Sequence, residues 1–139
     1  INNGKSLLPA GIKKINGTHI LCVGDLILDQ YIYGNVERMS PEAPIPILSI
    51  NEEHFQLGGV GNVARNIRSL GANPILCSVL GDDYNGKHLK ELLEKEDLST
   101  NGILIESGRK TTVKTRIISE NKPCMIMINM TERKFDAQP

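Results

Sequence analysis

The sequence lacks an excess of charge of either sign. Its 139 residues include 16 Lys and Arg and 16 Asp and Glu, and no stretch is densely basic. Nucleic acids and anionic membrane surfaces attract proteins through clustered positive charge. The charge pattern therefore gives no support to a nucleic-acid or membrane partner, and we expect neither.

Long apolar runs are missing as well. No run approaches the roughly 20 apolar residues that a transmembrane helix needs. Residues 1–17 contain neither the apolar core nor the small-residue cleavage site of a secretory signal, and we interpret them as a flexible arm. Together these absences predict a cytoplasmic protein.

Cysteine and histidine are few and scattered. Cys22, Cys77 and Cys124 lie far apart in apolar segments, and the 3 histidines show no ligand spacing. A disulfide framework or a zinc site requires such residues at close, regular intervals. The sequence therefore predicts buried free thiols and no metal site.

The chain is organised around a glycine-rich turn that opens a helical pattern. Gly58, Gly59 and Gly61 precede Asn62, and Gly71 marks the predicted end of the helix. The residues predicted to share its buried face are Val63, Ala64, Ile67 and Leu70. Glycines at a helix start leave backbone N–H groups accessible, so a hydroxylated or anionic ligand can approach the main chain.

Three interpretations of this turn stay open. The spacing of Gly59, Gly61 and Ala64 fits a dinucleotide fingerprint, but that motif requires an apolar strand directly before it, and residues 51–57 do not read as one. The glycine backbone and the Asn62 amide would instead suit the hydroxyls of a sugar. The third interpretation is an ordinary glycine turn leading into a core helix.

Apolar runs alternate with helical patterns elsewhere. His19–Val23 and Asn73–Leu80 predict strands buried on both faces, and residues 101–105 are a candidate third strand. Between them, residues 84–95 carry leucines at helical spacing after the acidic pair at 82–83. This order predicts an α/β fold with a parallel sheet.

A proline-rich segment is predicted to lie outside that sheet. Residues 41–46 contain three prolines, which a central strand cannot accommodate. We expect a small β flap, built from about residues 30–57 and 111–130, that could close over a ligand; a plain surface hairpin is the alternative. Residues 111–119 alternate, which predicts one exposed polar face, and residues 125–130 are apolar on both faces, so their methionines are assigned to the core.

Two carboxylates follow the first predicted strand. Ligands collect at the carboxyl ends of parallel strands, so Asp25 and Asp29 are candidates for binding substrate hydroxyls. Both also suit a turn or a cap, which is the favoured interpretation for Asp25.

The order of these parts resembles the amino-terminal half of the ribokinase-like (pfkB) carbohydrate kinases. Within that family, Gly24–Gly34 and Arg38–Pro46 resemble the branch that acts on D-glycero-D-manno-heptose 7-phosphate. The resemblance implies a ribokinase-like parallel sheet with flanking helices and a β flap. It also implies phosphorylation of the anomeric hydroxyl by ATP with Mg²⁺, as a step toward ADP-heptose for lipopolysaccharide. Separately, the flap has an open edge and the apolar residues Ile45, Ile47, Leu48 and Ile50 to bury, so we expect a homodimer formed through it.

The resemblance also assigns roles by position. Asp29, Gly58, Gly59 and Asn62 become ligands of sugar hydroxyls. Arg38 and Arg116 become candidates for the 7-phosphate, because a guanidinium can bind phosphate through two parallel hydrogen bonds. Two departures from the family pattern are Val60, where a small residue is usual, and the strand at 125–130, which lacks the expected Arg and Asp.

In such kinases the glycine-rich anion hole, the general-base Asp and most nucleotide contacts lie in a second half, which residues 1–139 do not include. We therefore assign no catalytic residue and expect this chain alone to be inactive. The alternatives are a kinase for another sugar, such as ribose or fructose phosphate, and a non-catalytic binding or assembly module.

Overall fold

The computed structural model describes residues 15–120 and 122–129. Residues 1–14 of the predicted arm and Met130 of the last apolar run lie outside these ranges. Within them the chain forms seven strands and two helices: β1 (His19–Val23), β2 (Leu26–Met39), β3 (Pro46–Gly59), α1 (Val60–Ser69), β4 (Asn73–Gly81), α2 (Tyr84–Lys95), β5 (Ile103–Glu106), β6 (Val113–Ser119) and β7 (Lys122–Asn129). Neither helix is long and apolar enough to cross a bilayer.

The first sheet has the strand order β1-β4-β5, and both of its strand pairs are parallel. Helix α1 connects the flap to β4, and α2 connects β4 to β5. Leu89 and Leu93 on α2 are completely buried, and both belong to one core cluster with Cys22, Leu76 and Ala64. The predicted parallel α/β arrangement and the predicted α2 are therefore confirmed.

The prediction that β1 and β4 are buried on both faces is wrong. Leu21 and Val23 on β1 leave 64% and 69% of their surfaces exposed, and Ile75 on β4 is exposed too. The two helices cover one face of this sheet, and no described element covers the other. The apolar composition of these strands therefore indicated which residues can be buried. In the described chain only the side chains on the helix-covered face of the sheet, about every second residue, are buried.

The predicted buried face of helix α1 is confirmed in part, because Ala64 is buried and Ile67 packs against the core cluster. Its buried residues are Val60, Gly61 and Ala64, whereas Val63 and Leu70 are about half exposed. The helix begins directly after Gly59, so its first turn packs against the strands; a Cβ on Gly61 would lie 2.9 Å from Leu26 Cδ2. At the other end Gly71 has φ +89°, a conformation that glycine adopts without strain, and it follows the helix as predicted.

The second sheet is the flap. Its strand order is β3-β2-β6-β7, with β2 and β6 parallel and the two outer pairs antiparallel. The proline-rich segment forms the turn between β2 and β3, and Pro46 is the first residue of the edge strand β3, where a missing N–H is tolerated. The predicted placement of this segment outside the parallel sheet is confirmed.

Residues 51–57 belong to strand β3, within the predicted flap, and this polar strand is not the apolar one that a dinucleotide fingerprint requires. It runs through to Gly59 and pairs antiparallel with β2. Because β3 and β4 belong to different sheets, α1 does not connect two parallel strands of one sheet, as a dinucleotide-binding unit requires.

Strand β7 is exposed along its whole length, so the assignment of its methionines to the core is wrong. Met125 and Met127 leave 54% and 47% of their surfaces exposed. The strand pairs with β6 on one side only, and its apolar residues meet no covering element in the described chain. Cys124 on β7 and Cys77 on β4 are exposed as well, whereas Cys22 is buried and its burial raises the pKa of its thiol.

Asp83 joins helix α2 to the segment that enters the flap. Its carboxylate accepts hydrogen bonds from the backbone N–H groups of Gly86 and Thr111, both at 2.8 Å. Burial raises the pKa of Asp83, but the hydrogen bonds from Thr111 and Gly86 outweigh it and leave the pKa below its ordinary value. The predicted acidic cap of this helix is confirmed.

We expect Asp83→Ala to destabilise the chain by about 1–3 kcal/mol near neutral pH, because it leaves two backbone donors without their acceptor. The lowered pKa means that the contribution is complete above the unfolded-state pKa of about 4 and is lost as pH falls through the folded-state value. Urea unfolding at neutral and acidic pH measures this, with Asp82→Ala at the exposed neighbour as control. The same difference in the free energy of unfolding between wild type and Asp83→Ala at both pH values would contradict this prediction.

Candidate functional site

The candidate site lies where the two sheets meet. Strand β1 ends at Val23, and a short turn through Gly24 and Asp25 leads directly into β2. The glycine turn lies against this connection, because the Val60 N–H donates to the Asp25 carbonyl at 3.0 Å. Gly59 has φ +56°, and a Cβ there would overlap the Asp25 carbonyl oxygen, so both backbone conformation and space require glycine.

The structure brings Asp29 together with the glycine turn. Asp29 lies on β2, and Gly58 lies diagonally across from it on β3, on the same face of the flap. A Cβ on Gly58 would lie 2.5 Å from Asp29 Oδ2. The absent side chain at residue 58 therefore makes room for the carboxylate, and Oδ2 faces the glycine backbone.

Asp29 also forms an ion pair with Arg116. The Arg116 Nη1 donates to Asp29 Oδ1 at 2.7 Å, and the two side chains are only 22% and 17% exposed. The guanidinium carbon lies 4.9 Å from the centre of the Tyr31 ring, within the range of a cation–π contact. Sequence reasoning selected both residues but missed their contact, because 87 positions separate them and only the parallel pairing of β2 with β6 brings them close.

Asn62 lies in the first turn of α1 and is half-buried. Its Oδ1 accepts a hydrogen bond from Arg65 Nη2 at 2.7 Å, and Arg65 Nη1 lies 3.6 Å from Glu96 Oε1. Arg65 thereby fixes the orientation of the amide, and the Asn62 NH₂ group is the part that can donate to a ligand.

Arg38 does not reach this site within one chain. It is exposed near the far end of β2, nine residues beyond Asp29. At the usual rise along a strand, that separation is roughly 30 Å. Asp25, by contrast, lies in the turn before β2 and accepts from α1 through its backbone, which agrees with its interpretation as a turn residue.

A cleft of about 470 Å³ opens beside the turn, at the carboxyl ends of β1 and β4. Its lining includes Gly24, Asp25, Ile27, Thr112 and Arg109. Sequence analysis missed Arg109, whose side chain is 13% exposed and lies 3.3 Å from Glu106 Oε2. Arg109 lies in a loop that contains no recognisable sequence motif. Only its position beside the strand ends identifies it as a candidate site residue.

The comparisons with known proteins agree with this architecture. The sequence profile described as pfkB family carbohydrate kinase matches residues 17–137. The chain belongs to the pfkB family of carbohydrate kinases. Two curated relatives of this pfkB chain are named bifunctional protein HldE: that of Paramagnetospirillum magneticum is 46% identical over 84% of this chain, and that of Helicobacter acinonychis is 52% identical over 74%. The matches span only 24% and 22% of those relatives.

Solved structures place this pfkB chain in the ribokinase-like fold. The nucleoside kinase of Methanocaldococcus jannaschii, described as an archaeal member of the ribokinase family, superposes with a TM-score of 0.62 at 20% identity, covering 82% of this chain and 38% of its own. The fructokinase of Xylella fastidiosa with bound ATP gives a TM-score of 0.58 at 22% identity, covering 81% and 33%. The predicted ribokinase-like α/β fold with a flap is therefore confirmed.

Proposed function

We propose that this chain forms the sugar-binding part of an ATP-dependent kinase that phosphorylates the anomeric hydroxyl of D-glycero-D-manno-heptose 7-phosphate. The observation that carries the proposal is the Asp29 carboxylate, which lies mostly out of water against the side-chain-free surface of Gly58. A carboxylate at such a place suits neighbouring sugar hydroxyls, because hydrogen bonds to an ionised acceptor are stronger than those between neutral groups.

The groups around Asp29 complete a set suited to a polyhydroxylated ligand. Asp29 Oδ2 would accept a hydrogen bond from a sugar hydroxyl, and the open backbone at Gly58 and Gly59 lets the ring approach closely. Asn62 lies further along, in the first turn of α1, and its NH₂ group would donate to the same sugar. The flap carries Asp29 and Gly58, while the parallel sheet ends beside them. A sugar bound here would lie between the two sheets and lose contact with water.

In the proposed reaction the anomeric hydroxyl oxygen forms a bond to the γ-phosphorus of ATP. The bond between that phosphorus and the β–γ bridging oxygen breaks, ADP leaves, and the hydroxyl proton passes to a base. The residues described here contribute binding and orientation, which supply much of the rate in phosphoryl transfer. Among residues 15–120 and 122–129, no group of three His, Cys, Asp or Glu side chains is placed to hold a metal ion. We assign no general base to these residues, because the family resemblance places it in the second half of such kinases.

Two observations support a heptose phosphate as the sugar. The proline segment Arg38–Pro46 resembles the heptose 7-phosphate branch. The identity to the HldE relatives is also more than twice the identity to the solved nucleoside kinase and fructokinase. The candidates that the resemblance gives for the 7-phosphate are Arg116, inside the site, and Arg38, which would have to come from a second copy.

The proposal is tested with the full-length kinase that carries this sequence. ADP release is measured with heptose 7-phosphate, fructose 6-phosphate and ribose as separate acceptors. We expect kcat/KM for heptose 7-phosphate to exceed that for the other two by at least about a hundredfold, because specificity rests on hydroxyls and a phosphate that the site pairs. A higher value for ribose or fructose 6-phosphate would assign the chain to another sugar. ATP-independent sugar binding without turnover would indicate a binding module.

We further expect residues 1–139 alone to release no ADP above background. The proposed reaction needs a base and an anion hole that the resemblance places in other parts of such kinases, and loss of either group costs orders of magnitude in rate. A coupled ADP assay on the purified chain measures this, with the full-length kinase as positive control. Steady release that scales with the concentration of the chain would contradict the prediction.

We also expect the flap to form a homodimer. Ile45 and Ile50 each leave 57% of their surfaces exposed beside the open edge of β3, and an open edge with apolar side chains favours pairing with another strand. Light scattering at micromolar concentration measures the mass. Ile45→Asp with Ile50→Asp should give monomers, and Lys90→Asp on α2 should not. A wild-type monomer would rule out this dimer.

A further inference from the structure

Among the described residues, Arg116 is the cation that forms an ion pair with the proposed sugar-binding carboxylate. Its Nη1 lies 2.7 Å from Asp29 Oδ1, and its guanidinium stacks over Tyr31. In the register of β2 with β6, Arg116 lies opposite Tyr31, so its side chain reaches diagonally along the sheet to Asp29. Two separate contacts therefore hold the guanidinium in one orientation.

The ion pair gives the two carboxylate oxygens of Asp29 different surroundings. Oδ1 accepts from Arg116, whereas Oδ2 faces the position that a Gly58 side chain would fill. Without Arg116, rotation about the Cβ–Cγ bond of Asp29 could present either oxygen to the ligand. Both side chains are largely buried, so removing one partner leaves the other charge poorly compensated.

We infer that Arg116 is a positioning residue that fixes Asp29 for the sugar hydroxyls, and that it is not the ligand of the substrate phosphate. This inference rests on the proposed function. It revises the role that the family resemblance gives to Arg116, because the Asp29 carboxylate already neutralises the guanidinium and would repel a phosphate bound beside it. Arg116 acts through Asp29 and touches no reacting atom.

Lys114 provides a matched comparison on the same strand. It lies directly opposite Asp29 in the register, on the same face as Arg116, and it is also half-buried. Among the described residues it makes no hydrogen bond or ion pair with Asp29. A change at Lys114 therefore removes a neighbouring positive charge without removing the contact that holds the carboxylate.

The test is a double-mutant cycle in the full-length kinase with Arg116→Gln, Asp29→Asn and their combination. We expect Arg116→Gln to lower kcat/KM for heptose 7-phosphate roughly tenfold to a hundredfold, and the double variant to be little worse than Asp29→Asn alone. The combination of Lys114→Gln with Asp29→Asn should instead be additive. Arg116→Lys, which keeps the charge, should recover part of the loss.

A second measurement separates positioning from phosphate binding. Arg116→Gln should weaken the binding of heptose 7-phosphate and of heptose without the phosphate by similar factors, as measured by calorimetry. A loss confined to the phosphorylated sugar, or additive effects of Arg116→Gln and Asp29→Asn, would overturn the inference. Melting curves identify any variant that fails to fold. If Arg116→Gln fails to fold, Arg116→Lys replaces it in the double-mutant cycle. If the wild type acts on another sugar, the proposed substrate fails, and the same cycle run with that sugar still decides the role of Arg116.

Discussion

Asp29→Asn in the full-length kinase is expected to lower kcat/KM for heptose 7-phosphate about a hundredfold while the protein stays folded. Asparagine keeps the size of the side chain but replaces one acceptor oxygen with a donor. Oδ1 is bound to Arg116, so Oδ2 is the oxygen that remains for the sugar, and either orientation of the amide loses one of these two interactions. The loss corresponds to about 2–4 kcal/mol of transition-state stabilisation.

The measurement is kcat/KM together with a melting curve for each variant. Asp82→Asn is the control, because Asp82 is exposed after β4 and its nearest cation is Lys87, at 3.9 Å. The control should retain kcat/KM within about threefold, since exposed ion pairs contribute little. Near-normal efficiency of Asp29→Asn, with a loss of stability only, would make Asp29 a structural residue and remove the carboxylate from the proposed site.

The second large effect concerns stability. Gly59→Ala should lower the free energy of unfolding by about 2–4 kcal/mol, which is a fall of roughly 10 °C in Tm for a chain of this size. The new methyl group would overlap the Asp25 carbonyl oxygen, and the backbone at φ +56° and ψ −134° is a region that only glycine adopts readily. Relief of the overlap would break the hydrogen bond from the Val60 N–H to Asp25.

Gly108→Ala separates the two causes. Gly108 also has a positive φ, at +77°, but a Cβ there would have nothing within 4 Å. Gly108→Ala should therefore lower the free energy of unfolding only by the cost of placing alanine at a positive φ, about 1–2 kcal/mol. Thermal melts of both variants against wild type provide the comparison. If Gly59→Ala and Gly108→Ala have the same free energy of unfolding, a Cβ at residue 59 does not overlap the Asp25 carbonyl oxygen. That result would contradict the close contact between the glycine turn and the β1–β2 connection.

The sequence predicted correctly those features that depend on residues close together in the chain. The leucine spacing of α2 and its cap at Asp83 were predictable, because helix periodicity and a cap both act within a few residues. The prolines likewise identified the flap as separate from the parallel sheet. The resemblance to the pfkB family added Asp29, Gly58, Gly59 and Asn62 as one set, and the structure brings the first three together.

Features that depend on distant contacts were not predictable. The pairing of Asp29 with Arg116 depends on the register of β2 with β6, which no short motif encodes. Met125 was assigned to the core because its segment is apolar, but apolar residues are buried only where another element packs on them. Leu21 was misjudged for the same reason.

The most direct measurement of the central claim is ³¹P NMR of the product made by the full-length kinase from ATP and heptose 7-phosphate. We expect the 7-phosphate resonance to persist and a second phosphomonoester resonance to grow, coupled to the anomeric proton, in equal amount to the ADP formed. Asp29→Asn should form the same product at about one hundredth of the rate at low substrate concentration. No second resonance, or a phosphate coupled to any proton other than the anomeric one, would contradict the proposed function.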